Sequence, residues 1–216
     1  MDYNKCNTNR SYTMPAVMKV YGMGNLKAVP NMAIVSLSII TENMSLEAAQ
    51  KGNAVKSSDV INTLLQLGIP KTNISTAAYS IFPQYDYIEG KQVFRGYKVV
   101  NQLSVTLSDT LRVGEIIDNA TVSGANQVDN IEFKVADPSL FYNTALKIAM
   151  RDAQVKAREL GNILGVEVSL LPFKILENTT PSISEESFTL KVASSSTPIL
   201  PGQINITAKI EAYFYY

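Results

Sequence analysis

Polar and apolar residues alternate along much of the chain. Ala33, Val35, Leu37 and Ile39 share one face of an extended segment, with Ser36 and Ser38 on the other, the period-two pattern of a half-buried strand. Tyr79, Ile81, Tyr85 and Tyr87 repeat the pattern, a turn follows at Glu89-Gly90-Lys91, and Tyr97, Val99, Leu103, Val105 and Leu107 carry the return. Together they predict a long hairpin. Further strands are predicted at 131–135, 166–176 and 204–214. In the last, Asn205, Thr207, Lys209 and Glu211 form the wet face. Pro172 predicts a bulge or an edge position within 166–176. A short strand at 188–192 lies between polar segments, 178–187 and 194–202, that read as loops.

The period changes to helical in three places. Ser45 precedes 46–67, where Leu46, Ala49, Val60, Leu64 and Leu67 recur at helical spacing and Gly68 supplies the stop. Asp109 or Thr110 starts a second helix at 111–123, with Val113, Ile116, Ile117 and Ala120 as its apolar stripe. Asp137 is an N-cap acceptor, and Pro138 suits a first helical position because its missing N–H has no helical partner to lose. That third helix runs to Leu164, about 40 Å. Its Ala149, Ala153 and Ala157 lie four apart, a small-residue stripe that admits another backbone.

The resulting order, β-β-α-β-β-α-β-α-β-β-β, has hairpins interspersed among the helices. It predicts an α+β fold of layered, mainly antiparallel sheets with three principal helices. The expected division is a tail at 1–13 and a domain at 14–216. Within that domain, 14–71 plus 137–216 form one subdomain, and 72–136 an inserted, ferredoxin-like one.

A hydrophobic fraction of 46% against 18% charged residues supports a sizeable core. Lysine plus arginine and aspartate plus glutamate each number 19. The chain therefore lacks the basic excess that phosphate neutralisation demands, and no nucleic-acid partner is expected. Charge balance also provides little colloidal repulsion, which is compatible with a homo-oligomer. The single cysteine, Cys6, excludes an internal disulfide and reads as an incidental thiol. Residues 1–10 contain no apolar stretch, which predicts a cytoplasmic protein as the sequence stands, periplasmic or extracellular if a leader has been removed. No apolar run is long enough for a transmembrane helix, leaving peripheral association as the route to an envelope.

Histidine is absent. That removes Ser-His-Asp and Cys-His catalysis and, with one cysteine, the usual zinc ligand sets. No catalytic, cofactor-binding or metal residue is assigned, and no cofactor is expected. Gly22-Met23-Gly24 imitates the start of a dinucleotide fingerprint, but position 27 is Lys27 and the next punctuation, Pro30, leads into a strand. These glycines read as a tight turn or bulge. Asp86, Glu89, Glu185 and Glu186 read as solvated loop acids. Lys147, Arg151 and Arg158 with Asp152 and Glu159 read as a mixed-charge helix face.

The aromatics are more informative. Tyr79, Phe82, Tyr85, Tyr87, Phe94 and Tyr97 crowd one hairpin, and the chain ends Tyr213-Phe214-Tyr215-Tyr216. Tyrosine combines large area with a polar handle and is enriched at interfaces. The candidate interaction surface is therefore Tyr85, Tyr87, Phe94, Tyr97, Tyr213, Tyr215 and Tyr216, with the C-terminal strand as a candidate edge for intermolecular pairing.

Val20-x-Gly22-x-Gly24, Pro30-Asn31-x-Ala33 and the serine-bearing strand after them resemble the opening of SIMPL-domain proteins. The resemblance continues through Gly68-Ile69, Ser80-Ile81-Phe82-Pro83-Gln84-Tyr85, Gly96-Tyr97, Gly124-Ala125-Asn126, Asp137-Pro138 and the alanine-rich helix ending at Gly165, covering 18–176. Asn31 departs from the family's more frequent aspartate. The resemblance implies kinship with bacterial periplasmic or outer-membrane-associated immunogenic proteins and with oxidative and DNA-damage stress proteins, at least one of which forms a large hollow oligomer. It brings no catalytic residues. The expected function is a non-catalytic, self-associating protein of envelope maintenance or stress response. A binding module for a small ligand or partner protein, built on the tyrosine-rich hairpin, is the alternative, and an enzyme is the least favoured outcome.

Overall fold

The computed structural model describes residues 16–186 and 197–216, excepting the side chains of 179–186. Its strands and helices are β1 (Val17–Ala28), β2 (Met32–Asn43), α1 (Leu46–Gln66), β3 (Ile74–Ile88), β4 (Lys91–Leu107), α2 (Val113–Val122), β5 (Gln127–Lys134), α3 (Ser139–Leu164), β6 (Lys174–Glu186) and β7 (Gln203–Tyr215). The fold is α+β with two antiparallel sheets. Contacts divide the chain into a first unit of Met1–Leu26, Ser139–Ile183 and Asn205–Tyr216, and a second of Lys27–Pro138 and Ser184–Ile204. Residues 32–66 thus group with the hairpin and not with 137–216, because β2 is an inner strand between β4 and β5.

The second unit has the β-α-β-β-α-β order of a ferredoxin-like layer, with sheet order β3-β4-β2-β5. β2 pairs with β4 from Ala33↔Leu107 to Asn43↔Tyr97. Its alternation aims Val35, Leu37 and Ile39 at Val60 and Leu64 of α1 and at Val113, Ile116 and Ala120 of α2, a fully buried cluster. Ser45 caps α1, its hydroxyl accepting from the Ala48 N–H at 3.4 Å, and Gly68 ends it at φ +84°. Among the polar residues buried in this unit, Asn53 has the most hydrogen bonds to the sheet. Asn53 of α1 donates to the carbonyls of Ile39 at 2.7 Å and Val99 at 3.4 Å, and its Oδ1 accepts from Ser57 at 3.3 Å. These bonds satisfy the buried amide and set the height of α1 over β2 and β4.

In the first unit the sheet order is β1-β7-β6, with α3 on one face. Met18 and Val20 of β1 and Ala208, Ile210, Ala212 and Phe214 of β7 meet Ala145, Ala149, Ala153 and Ala157 of α3. Gly22 and Gly24, read as a turn or bulge, stand inside β1. A Cβ on Gly22 would overlap the Ala149 carbonyl oxygen and lie 3.0 Å from the Ala153 Cβ. One on Gly24 would overlap the Ala145 carbonyl oxygen and lie 2.7 Å from the Ala149 nitrogen. The glycines and the alanine stripe are two halves of one contact. They let the helix backbone descend onto the strand.

β1 is an edge strand, and α3 covers part of its edge. The Met23 N–H donates to the Asp152 carboxylate at 2.8 Å, and Lys156 donates to the Tyr21 carbonyl at 3.1 Å. Asp152 and Lys156 also pair with each other at 2.7 Å. Residues 166–173 are not a strand. They touch β7 through isolated bonds, Ser169 N–H to the Tyr215 carbonyl at 2.9 Å and Phe173 N–H to the Tyr213 carbonyl at 3.0 Å, and Pro172 has no N–H to extend the ladder. Conversely, 178–186, read as a loop, belongs to β6, because pairing with β7 overrides local polarity. Pro181 is accommodated on an edge. The C-terminal strand, expected to offer an edge, is the middle strand. The tail at 1–13 with Cys6, and the strand at 188–192, lie outside the described residues.

Replacing Gly24 with Ala is expected to destabilise the protein by about 2–3 kcal/mol through overpacking against α3, read as a Tm loss of about 4–12 °C in a chain of this size. Gly52 of α1 has open space around a built Cβ, so Gly52→Ala should instead add about 0.5–1 kcal/mol. Differential scanning calorimetry of the two variants checks the contrast in sign.

Candidate functional site

The β3–β4 hairpin outruns its sheet. β4 loses β2 after Tyr97↔Asn43, whereas β3 and β4 stay paired to Ile88↔Lys91. Residues 84–96 therefore form a two-stranded arm. Glu89 at φ 48° and Gly90 at φ 78° make its tip, the two-residue geometry that matches strand twist. Between Gln84↔Gly96 and Tyr85↔Phe94 the register shifts, leaving Arg95 as the extra residue of a bulge. Gly96 there has φ +137°, and a Cβ on it would lie 2.7 Å from the Asn43 carbonyl oxygen.

The bulge changes which rings meet. Strict alternation places Phe94 and Tyr97 on opposite faces. The extra residue brings them together, with centroids 5.2 Å apart and edge to face, while Tyr85 meets Phe94 at 5.6 Å in the same manner. Such pairs add about 0.5–1.5 kcal/mol beyond area burial. The rings remain open to solvent. Tyr87 is 77% exposed, Tyr85 47% and Phe94 38%, while Tyr97 is half-buried. Arg95 bonds Glu42 at 3.4 Å and approaches Asp86 at 3.8 Å, and Gln84 donates to Glu42 at 3.1 Å. These give the arm a polar rim.

Tyr213 and Tyr215 belong to a different surface, the face of the β1-β7-β6 sheet turned away from α3. Tyr215 stacks on Phe173 with centroids 4.0 Å apart and planes 12° apart, and Phe173 lies 6.2 Å from Tyr213. Lys19 sits 4.8 Å from the Tyr21 ring centroid and 5.7 Å from that of Tyr213, and Lys174 is 5.3 Å from Tyr213. Both distances to Tyr213 are within cation–π range. Lys19 also pairs with Glu211 at 2.9 Å, and Tyr213 donates to the same Glu211 oxygen at 3.1 Å. Tyr216 is exposed and its N–H donates to the Ala16 carbonyl at 3.0 Å. Of the seven predicted residues, Tyr85 and Tyr97 each contact Phe94, Tyr87 stands near the tip, and Tyr213 and Tyr215 are joined by Phe173. Tyr21, Phe173, Lys19 and Lys174 were missed. The alternation of Val17, Lys19, Tyr21 and Met23 against Met18, Val20, Gly22 and Gly24 was the available signal for the first and third of these.

Among the described residues no three of His, Cys, Asp and Glu gather as a metal would require, and no helix is long and apolar enough to cross a membrane.

The family model described as SIMPL, protein of unknown function (DUF541), matches residues 18–214. The 26 kDa periplasmic immunogenic protein of Brucella melitensis is 28% identical over 218 residues, covering 95% of this chain and 87% of the relative. The uncharacterized protein YggE of Escherichia coli K12 is 29% identical over 141 residues, covering 65% and 57%. That of Edwardsiella ictaluri is 27% identical over 146 residues, covering 67% and 61%.

The Lys19–Glu211 pair has a definite pH window. The bonds that Lys19 donates to Tyr21 and Glu211 raise its pKa, and the bond from Lys19, against some desolvation, lowers that of Glu211. The carboxylate's share of stability is present above its unfolded pKa and is lost as pH falls through the folded value. The ammonium's share is present below its unfolded pKa and is lost as pH rises through the folded one. The pair thus contributes throughout the neutral range. Lys19→Met should raise the Glu211 titration midpoint, as followed by carboxyl carbon NMR.

Proposed function

The chain belongs to the SIMPL family, and from that premise we propose that it is a non-catalytic, self-associating protein of the bacterial envelope with a role in envelope maintenance or stress response. The observation that carries the self-association is the arm at 84–96, which exposes Tyr85, Tyr87 and Phe94 on two strands with no third strand beside them among the described residues. A two-stranded ribbon is marginal by itself in water and gains by burying its apolar face. Equal numbers of acidic and basic residues put no net repulsion between copies. The absence of histidine from the whole chain supports a non-catalytic role. The periplasmic placement draws on the name of the Brucella relative, which the chain matches over nearly its full length. It replaces the cytoplasmic default drawn from the first residues.

Size exclusion coupled to light scattering is expected to give an oligomer at micromolar concentration. The triple variant Tyr85→Ser, Tyr87→Ser, Phe94→Ser should shift it to monomer with a folded circular dichroism spectrum. A wild-type chain that stays monomeric under those conditions defeats the self-association. Cell fractionation of the full-length protein tests the compartment separately.

A further inference from the structure

The β1-β7-β6 face that carries Tyr213 also contains a cavity of about 300 Å³ within the first unit, lined by Tyr21, Met23, Lys156, Asn178, Lys209 and Glu211 among others. That is at the small end of ligand sites and suits one six-membered ring with its substituents. We propose that it binds a sugar bearing a carboxylate, a uronic-type acid, either free or as a unit of an acidic glycan.

The chemistry of the walls selects this class. Tyr21, 60% exposed, offers a broad apolar surface to the C–H face of a sugar ring. Glu211 is ionised and already oriented. The Lys19 and Tyr213 bonds both fall on Oε2, and Tyr21 also bonds the carboxylate, which with about four acceptor sites keeps capacity for a sugar hydroxyl. The Asn178 amide supplies both a donor and an acceptor, matching the dual character of a hydroxyl. Lys209 is exposed and, unlike Lys156 with Asp152, pairs with no carboxylate among the described residues. Among the described residues it is the cation of this cavity left for a ligand carboxylate to meet. Lys156 is committed to the Tyr21 carbonyl and Asp152, and so serves as a fixed wall.

The surroundings extend the platform. Lys19 over Tyr21 and Tyr213, Lys174 over Tyr213, and Phe173 stacked on Tyr215 continue rings and ammoniums along the same sheet face, which gives the neighbouring units of a polymer a surface to follow. Single-stranded nucleic acid is a poorer fit, because a phosphodiester linkage carries no hydroxyl to donate to the Glu211 carboxylate. Glu211 stands in the middle of the platform, and the chain as a whole carries no basic excess.

Saturation-transfer NMR and calorimetry on the full chain test the proposal with glucuronate, polygalacturonate, glucose, inorganic phosphate and oligothymidylate as probes. Glucuronate is expected to bind at millimolar strength. Lys209→Gln should weaken it about tenfold without changing the much weaker response to glucose, and Tyr21→Ala should weaken both sugars. Lys209→Gln should keep the wild-type Tm, and both variants should keep the wild-type elution volume and a folded circular dichroism spectrum, which separates this test from that of self-association. Binding to glucuronate alone supports a free sugar acid, and tighter binding to polygalacturonate supports an acidic glycan. The proposal is overturned if neither uronate binds, if phosphate competes as well as glucuronate, if oligothymidylate binds more tightly through the same two residues, or if both variants bind as wild type.

Discussion

A helix can approach a strand only as closely as the side chains between them allow. In the first unit those side chains are nearly absent. Gly22 and Gly24 present bare backbone to the carbonyl oxygens of Ala145 and Ala149, and Ala153 fills the next position. Small residues bury little apolar area each, so the contact adds modestly to hydrophobic stabilisation and mainly to dense packing. Its greater effect is geometric. It fixes the depth of α3, brings Phe214, Ile210 and Met18 against the helix flanks, and puts Asp152 and Lys156 within reach of the β1 edge. It also commits the alternate positions of β1, from Lys19 to Met23, to the other face, where the lysine and tyrosine rows assemble.

Local signals were legible wherever they agreed with tertiary packing. The capped helix after Ser45, the stripe of α2, the alternating strand from Ala33 and the hairpin turn at Glu89-Gly90 were all readable because a single residue pattern sufficed to specify them. The glycines were misread because a strand glycine and a turn glycine look alike until its neighbour is known. β6 was misread for a related reason, since a polar segment with a proline becomes a strand when β7 pairs with it. The bulge at Arg95 and the buried Asn53 also escaped. Each depends on a partner far along the chain, Asn43 facing Gly96 in one case and the Ile39 and Val99 carbonyls in the other.

The two aromatic surfaces are built on opposite plans. On the arm, the rings meet one another edge to face and the charges stay at the rim, which leaves an apolar face of the kind buried by another protein surface. On the sheet, the ring neighbours include ammonium groups, so that polar and apolar character alternate over a few ångströms. A surface of that second kind favours ligands that are themselves mixed. Residue type alone could not separate these plans, since both are written in tyrosine. The bulge and the alternation of β1 make the difference.

The ion pair laid along β1 has a consequence for growth. A sheet whose outer strand shows free N–H and C=O groups can recruit another strand, and then another, without limit. Here the amide of Met23 and the carbonyl of Tyr21 are already occupied by side chains from the protein's own helix, and an incoming strand would have to strip a carboxylate and an ammonium from their places. Sheet extension is therefore opposed at this part of the border, by occupied hydrogen-bonding groups and not by the shape of the strand.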